Sequence, residues 1–314
     1  MPEIREMIVN GYAYPTISEA SLMWWLPRLT WVSSFSYSFD ADGTLKELDD
    51  ERVIEQAAAS GVGTLMVLAP IGENGSFDSS LAVDLFEHPT GVGRLIDHIV
   101  DTIIEKGLQG IDFDIEYLPG KYAADYVNLV RRTRERLAPL GYVTTVALAP
   151  KVEDNQPGLL YEGHDYAAMG EVADYCLLMT YEWGYLYGPP MAVSPLDRVR
   201  EVVEYAVSRI PAGKILLGMS NYGYDWKLPF SEGDRAQTLT NYQATARAEY
   251  YGVPIQFDEV AMSPFFVYQS PAGAEHIVWF ENEQSWRARL ALVEEYGLAG
   301  VGIWNIMSIF YGGI

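Results

Sequence analysis

The segment Gly110-Ile111-Asp112-Phe113-Asp114-Ile115-Glu116-Tyr117 alternates acids with large apolar residues. In an extended strand, successive side chains face opposite sides. Ile111, Phe113 and Ile115 therefore share one face, and Asp112, Asp114 and Glu116 share the other. Side chains two apart on a strand recur every ~6.6 Å. Three carboxylates at that spacing in a confined, partly dry space raise one another's pKa values and hold protons in common. Such a group supplies an acid that stays protonated near neutral pH beside one that stays ionised. Cleavage of a glycosidic bond needs such an acid, to protonate the leaving oxygen. Glu116, last in the run, is the expected general acid. Two other readings fit alternating acids: a half-exposed edge strand with its acids in solvent, or a site for Mg²⁺ or Ca²⁺. Helical flanks speak against the first. Against the second, no Ca²⁺ loop or His-rich metal spacing accompanies the acids.

The elements around this run set its position. Candidate strands cover Met7–Tyr12, Trp31–Tyr37, Thr64–Leu68, Gly110–Glu116, Val143–Leu148, Tyr175–Tyr181, Lys214–Met219 and Gly300–Trp304. Helical periodicity marks Asp49–Ser60, Val92–Lys106, Lys121–Leu137 and Pro195–Ile210 between them. In Val92–Lys106 the apolar stripe reads Leu95, Ile96, Ile99, Ile103 and Ile104. Strands separated by helices imply parallel pairing with right-handed crossovers, and eight such units predict an α/β fold, a closed (β/α)8 TIM barrel. Its interior would receive the three carboxylates, with Glu116 nearest the C-terminal mouth where barrel sites lie.

The rhythm breaks after the seventh strand. The stretch 221–280 reads as a small α+β insertion on the barrel rim, because a structureless loop of that length is improbable. It contains a predicted helix, Asn241–Tyr251, and short strands near Ile255–Asp258, Phe265–Tyr268 and Ile277–Phe280. The barrel would then comprise 1–220 and 281–314. Only ten residues follow Trp304, so a final helix is expected to be short or absent.

Composition narrows the function classes. The 314 residues are 49% hydrophobic and 20% charged, enough for a sizeable core. Forty-three acids against 21 bases give a formal charge of −22, which repels nucleic acid and anionic membranes. No apolar run is long enough for a membrane span. The opening MPEIREMIVNGYAYP lacks the basic-then-apolar pattern of a signal peptide, which points to synthesis in the cytosol or to a targeting segment not included. Cys176 is the single cysteine and reads as a buried thiol. His88, His98, His164 and His276 are scattered and support no Ser-His-Asp or Cys-His site. Gly72-Glu73-Asn74-Gly75 lacks a phosphate-loop Lys, so no nucleotide cofactor is expected, and no metal. Aromatics reach 13%, with 22 Tyr and 8 Trp, the side chains that stack on sugar faces.

The acidic run resembles glycoside hydrolase family 18, the chitinase-like barrels, whose fourth strand carries Asp-Gly-x-Asp-x-Asp-x-Glu. Gly110, Asp112, Asp114 and Glu116 match that motif, and Gln109 replaces its first Asp. The resemblance extends along almost the whole chain. Ala147-Leu148-Ala149-Pro150-Lys151, Met179-Thr180-Tyr181-Glu182-Trp183-Gly184, Gly188-Pro189-Pro190-Met191-Ala192 and Tyr222-Gly223-Tyr224-Asp225-Trp226 look closest to the spore-cortex N-acetylglucosaminidases of spore-forming bacteria. Members of that branch often carry LysM wall-binding repeats ahead of the barrel, and this sequence contains none.

The resemblance implies a hydrolase of N-acetylglucosamine polymers, peptidoglycan of spore cortex or cell wall, or chitin, with spore or wall association. It implies substrate-assisted retention, an exception to the enzyme-nucleophile mechanism. Glu116 would protonate the glycosidic oxygen while the substrate's own acetamido oxygen attacks. Asp114 would hold the acetamide N–H, and Asp112 would modulate Asp114. Tyr181 would bond the acetamide oxygen. Glu182 stands where the family has Asp, as a sugar contact. Trp304 would floor the reacting sugar, and Tyr12, Phe35, Trp183 and Tyr222 would line the cleft. Two alternatives remain: a non-catalytic chitinase-like sugar-binding protein, and an endo-acting enzyme on N-glycan cores.

Overall fold

Alternating apolar runs and amphipathic helices produce a barrel of eight parallel strands. The computed structural model describes residues 7–311. The strands are β1 (Ile8–Ala13), β2 (Trp31–Phe39), β3 (Gly63–Leu68), β4 (Gly110–Phe113), β5 (Val143–Leu148), β6 (Tyr175–Leu178), β7 (Ile215–Ser220) and β8 (Gly300–Trp304). Each pairs in parallel with the next, and β1 closes the ring on β8 in the register Ile8↔Gly300. A two-residue strand, Leu45–Lys46, adds antiparallel to the end of β2.

Strand parity divides the core. On β3, Met66 and Leu68 pack under the helices, whereas Leu65 and Val67 fill the barrel interior. On β4, Ile111 and Phe113, with Ile115 beyond it, enter the outer core. Asp112 consequently points inward and is fully buried. The helix Gly91–Lys106 shows why the outer layer forms. It buries Leu95, Ile96, Ile99, Val100 and Ile103 on one face, and Gly107 ends it in a left-handed conformation, φ 66°. Full burial stabilises each such side chain by about 1.5–3 kcal/mol. Ile104, expected in that stripe, falls off the buried face and is exposed, and Val100 takes its place. The chain's one thiol, Cys176 on β6, is buried as expected, and burial pushes it up to about 12. After Trp304, no helix follows among the described residues.

Between β7 and β8 lies an antiparallel five-stranded sheet. Its strands are Tyr222–Lys227, Gln237–Thr240, Gln256–Asp258, Ser263–Gln269 and Glu275–Trp279, and the helix Asn241–Tyr251 packs with them. Thr240 and Gln243 start that helix with reciprocal side-chain bonds to the backbone. The strands Tyr222–Lys227 and Gln237–Thr240 are absent from the sequence-based assignment. Tyr222–Lys227 is buried on both faces up to its last residue, so it carries no alternation to read. Its Asp225 is buried because Arg247 pairs with it, Tyr268 donates to it at 2.6 Å and His276 lies 2.7 Å away.

Arg289 joins this sheet to the barrel. It lies on the helix Glu283–Tyr296 and is 1% exposed. It pairs with the buried Glu281 at 3.2 Å and donates to the Ser285 carbonyl at 2.6 Å, the Met262 carbonyl at 3.2 Å and the Ser194 carbonyl. Removing one partner of a buried pair leaves the other charge uncompensated, at a cost of about 3–5 kcal/mol. Arg289→Met is therefore expected to lower unfolding free energy by about that amount in urea titration. Adding Glu281→Gln should recover part of the loss, and equal or greater destabilisation of the double variant would contradict this account.

Candidate active site

The ladder of β4 stops at Phe113, three residues before the expected end at Glu116. Asp114 N–H still donates to the Leu68 carbonyl on β3, at 2.9 Å. Beyond it, side chains take over the backbone bonds. Ile115 N–H donates to the Tyr126 hydroxyl at 3.3 Å, and the Ile115 carbonyl lies 2.9 Å from Nε2 of His164. Nδ1 of His164 accepts from Ala149 N–H at 2.8 Å, so the proton sits on Nε2. Tyr126 comes from the helix Ala123–Leu137 and His164 from the segment after β5. Burial pulls His164 down to about 4, which keeps it neutral. Tyr117 then turns the chain with a left-handed φ of 56°. Asp114 and Glu116 thus flank a peptide unit held by two side chains that the sequence did not single out.

The three carboxylates have different surroundings. Asp112 accepts from the Tyr12 hydroxyl at 2.7 Å and from Thr145, and burial still raises it to about 6. Asp114 is 6% exposed and its Oδ1 has no hydrogen-bond partner. Burial, then the charges of Glu116 and Asp112, pushes it well above the carboxylate range. Glu116 is raised to about 7 by burial and by the Glu182 carboxylate. An acid protonated near neutrality therefore stands beside an unpartnered carboxyl.

A cavity of about 470 Å³ opens over them. Asp114, Glu116, Tyr181, Glu182, Trp183, Phe35 and Trp304 all line it. Tyr181 lies three residues past the end of β6, which is shorter than the sequence suggested. Gly218 on β7 makes room beneath its ring, since a Cβ there would meet the ring at 2.8 Å and the Leu178 carbonyl at 2.2 Å. Trp304 packs edge-on against Phe35, centroids 4.9 Å apart. Two expected lining residues lie elsewhere. Tyr12 is 2% exposed below the cavity, because its hydroxyl reaches down to Asp112. Tyr222 lines an adjoining cavity instead.

Glu182 stands between the two cavities and lines both. Its backbone is left-handed, φ 65°, and its Oε1 accepts from the Tyr224 hydroxyl at 2.8 Å and from Tyr222. Crowding by protein raises its pKa, opposed by those two hydroxyls. Besides Pro150 and Met179, the first cavity is lined by Tyr117, Leu160, Tyr161, Tyr185 and Phe77. They come from segments after the strands, whose reach over the mouth has no periodic signal.

The position of His164 is testable. Its contribution to stability should be full above 6.5, its ordinary value, and be lost as pH falls to about 4, because only the unfolded chain takes the proton in that window. Nitrogen NMR should show a neutral Nε2–H ring at pH 6. His164→Leu leaves two buried backbone groups unpaired, at about 1–3 kcal/mol each. His164→Gln, whose amide spans both partners, should lose less. A ring that titrates near 6.5 would contradict the assignment.

Comparisons with known proteins agree with this geometry. The family model described as glycosyl hydrolases family 18 matches residues 26–308. The cortical fragment-lytic enzyme of Bacillus anthracis is 38% identical over 281 residues, 89% of this chain and 65% of its own length. The chain thus spans slightly under two thirds of that relative. The crystal structure of the Bacillus cereus spore cortex-lytic enzyme SleL superposes with a TM-score of 0.92 at 35% identity, over 96% of this chain and 71% of that one. The Bacillus megaterium SleL structure gives 0.91 at 35% identity, over 99% and 73%. On the family match and these relatives, the chain belongs to glycoside hydrolase family 18.

Proposed function

We propose that the chain is a retaining glycoside hydrolase that cleaves β-1,4-linked N-acetylglucosamine by substrate-assisted catalysis. The polymer is peptidoglycan, of spore cortex or cell wall, or chitin. The name of the 38%-identical relative, a cortical fragment-lytic enzyme, supports the cortex. The single observation that carries the mechanism is the buried, unpartnered Oδ1 of Asp114 next to an acid raised to about 7.

Glu116 protonates the glycosidic oxygen as the bond to the anomeric carbon breaks. The substrate's acetamido oxygen forms the new bond to that carbon, giving an oxazolinium ion. Asp114 accepts a hydrogen bond from the acetamide N–H through Oδ1, which supplies its missing partner, and the partial negative charge on that oxygen faces the cation. Asp112, held by Tyr12 and Thr145, opposes ionisation of Asp114 from below. Tyr181 donates to the acetamide oxygen and aligns it for attack. Glu116, now ionised, takes a proton from water, which opens the ring and restores the acid. Trp304 and Phe35 offer flat apolar surfaces to the sugar. Glu116 and Asp114 both line the cavity, which supports catalysis over binding alone.

Glu116→Gln is expected to lower kcat by on the order of 10³-fold or more on wall fragments or chitooligosaccharides, since general acid catalysis contributes about 10²–10⁴. Wild-type turnover in that variant would sink the mechanism.

The pH profile gives a second check. Activity should fall as pH rises through about 7, where Glu116 loses its proton. Glu182→Gln removes a neighbouring negative charge, so Glu116 ionises more easily and the alkaline limb of kcat/KM should move to lower pH. A limb that stays in place would show that Glu182 does not act on the acid.

A further inference from the structure

Lys151 closes the run Ala147-Leu148-Ala149-Pro150-Lys151 and takes no part in the steps proposed for Glu116, Asp114 and Tyr181, yet it is 3% exposed. Lysine is rarely buried without a charged partner. Among the described residues, the partners of its ammonium are two carbonyls, that of Asp154 at 2.8 Å and that of His164 at 3.0 Å. Its own N–H donates to the Tyr166 hydroxyl at 3.1 Å, and that hydroxyl donates to the Ala149 carbonyl at 2.6 Å. The ammonium therefore ties the beginning of the segment 150–164 to its end.

The end of that segment meets the acids. His164, 1% exposed, accepts from Ala149 N–H through Nδ1 and donates through Nε2 to the Ile115 carbonyl at 2.9 Å. Ile115 separates Asp114 from Glu116. Gly163 presses on the chain just past the acid, since a Cβ there would meet the Leu118 carbonyl and Cβ at 2.7 Å. Neither Lys151 nor His164 lines the cavity, so anything they do for a reaction there passes through Glu116 and its neighbours. A buried charge is weak evidence of a stabilising role, because an apolar side chain of similar shape often serves stability as well. The bonds of this charge lead instead to the peptide between two acids, where a displacement of about 1 Å can lower a rate by about 10²-fold.

We propose that Lys151 and His164 are a positioning pair for the general acid: Lys151 holds the backbone of His164, and the His164 ring fixes the Ile115 carbonyl and with it the direction in which Glu116 enters the cavity. The reading rests on the proposed function.

Steady-state kinetics on the wall fragments or chitooligosaccharides that the wild-type protein cleaves test this, with kcat expressed per folded chain from the native near-ultraviolet circular dichroism signal. Lys151→Met keeps the apolar stem and should lower kcat about tenfold while KM stays within about threefold. His164→Leu should lower kcat about 10²-fold with the same small change in KM, and His164→Gln should recover most of that loss. The double variant Lys151→Met/His164→Leu should be no slower than His164→Leu, because both changes act through one peptide group. If His164→Leu does not fold, Lys151→Met and His164→Gln carry the test. Wild-type kcat in Lys151→Met, a loss confined to KM, additive losses in the double variant, or unfolding of both Lys151→Met and His164→Leu overturns the inference and leaves the proposed chemistry standing. A wild-type protein that cleaves none of these substrates overturns the proposed function and this inference with it.

Discussion

Three carboxyl groups crowd the interior and mouth of the barrel, Asp112 and Asp114 buried and Glu116 partly exposed in the cavity, and much of the surrounding structure answers to that constraint. Burial is the first cause of raised protonation at Asp112, Asp114 and Glu116 alike, ahead of their mutual repulsion. Hydrogen bonding offsets it unevenly with depth. Asp112, deepest, has two hydroxyl donors, whereas Asp114 has an oxygen with none. A fully satisfied Asp114 would be a more stable feature and a poorer partner for a ligand, since an unpaired buried polar atom is destabilising until something meets it. Stored polar demand of this kind is what pre-organises a site for charge that develops later.

The same strand must leave the sheet in order to present Glu116. Once the ladder ends at Phe113, the peptide groups of Ile115 have no neighbouring strand to bond. Tyr126 and His164 replace it, one from the following helix and one from the segment after the next strand. The acids therefore sit on a backbone as well tied as a strand without being part of one. Left-handed residues follow at Tyr117 and Glu182, directly after Glu116 and Tyr181. Non-glycine residues in that region cost about 1–3 kcal/mol each and persist where the surroundings enforce them. Both turns aim side chains at the same cavity.

The inserted sheet is bound into the site through Glu182. Tyr222 and Tyr224, two apart on one strand and hence on one face, both donate to a single oxygen of it. The sheet itself is held by the Asp225 cluster within and by Arg289 at its junction with the barrel. Those two hydroxyl bonds hold the Glu182 carboxylate, whose charge, after burial, raises Glu116.

The sequence by itself determined the barrel and its inward acidic face. A period of two, set among helical periods, turns Asp112 inward on β4 and continues past the strand's end, where Asp114 and Glu116 reach the same cavity. The residues that line the cavity by following that strand or ending β6 and β8 were legible for the same reason. Only the tertiary structure decided the rest. His164 and Tyr126 meet Ile115 from 49 and 11 residues away, Tyr12 reaches Asp112 across 100 residues, and Tyr222 and Tyr224 bridge to Glu182 across 40 and 42. Such contacts depend on how far a loop or side chain reaches after the chain has closed into a ring. Local periodicity records which face a residue takes, and carries no information about what it will meet there.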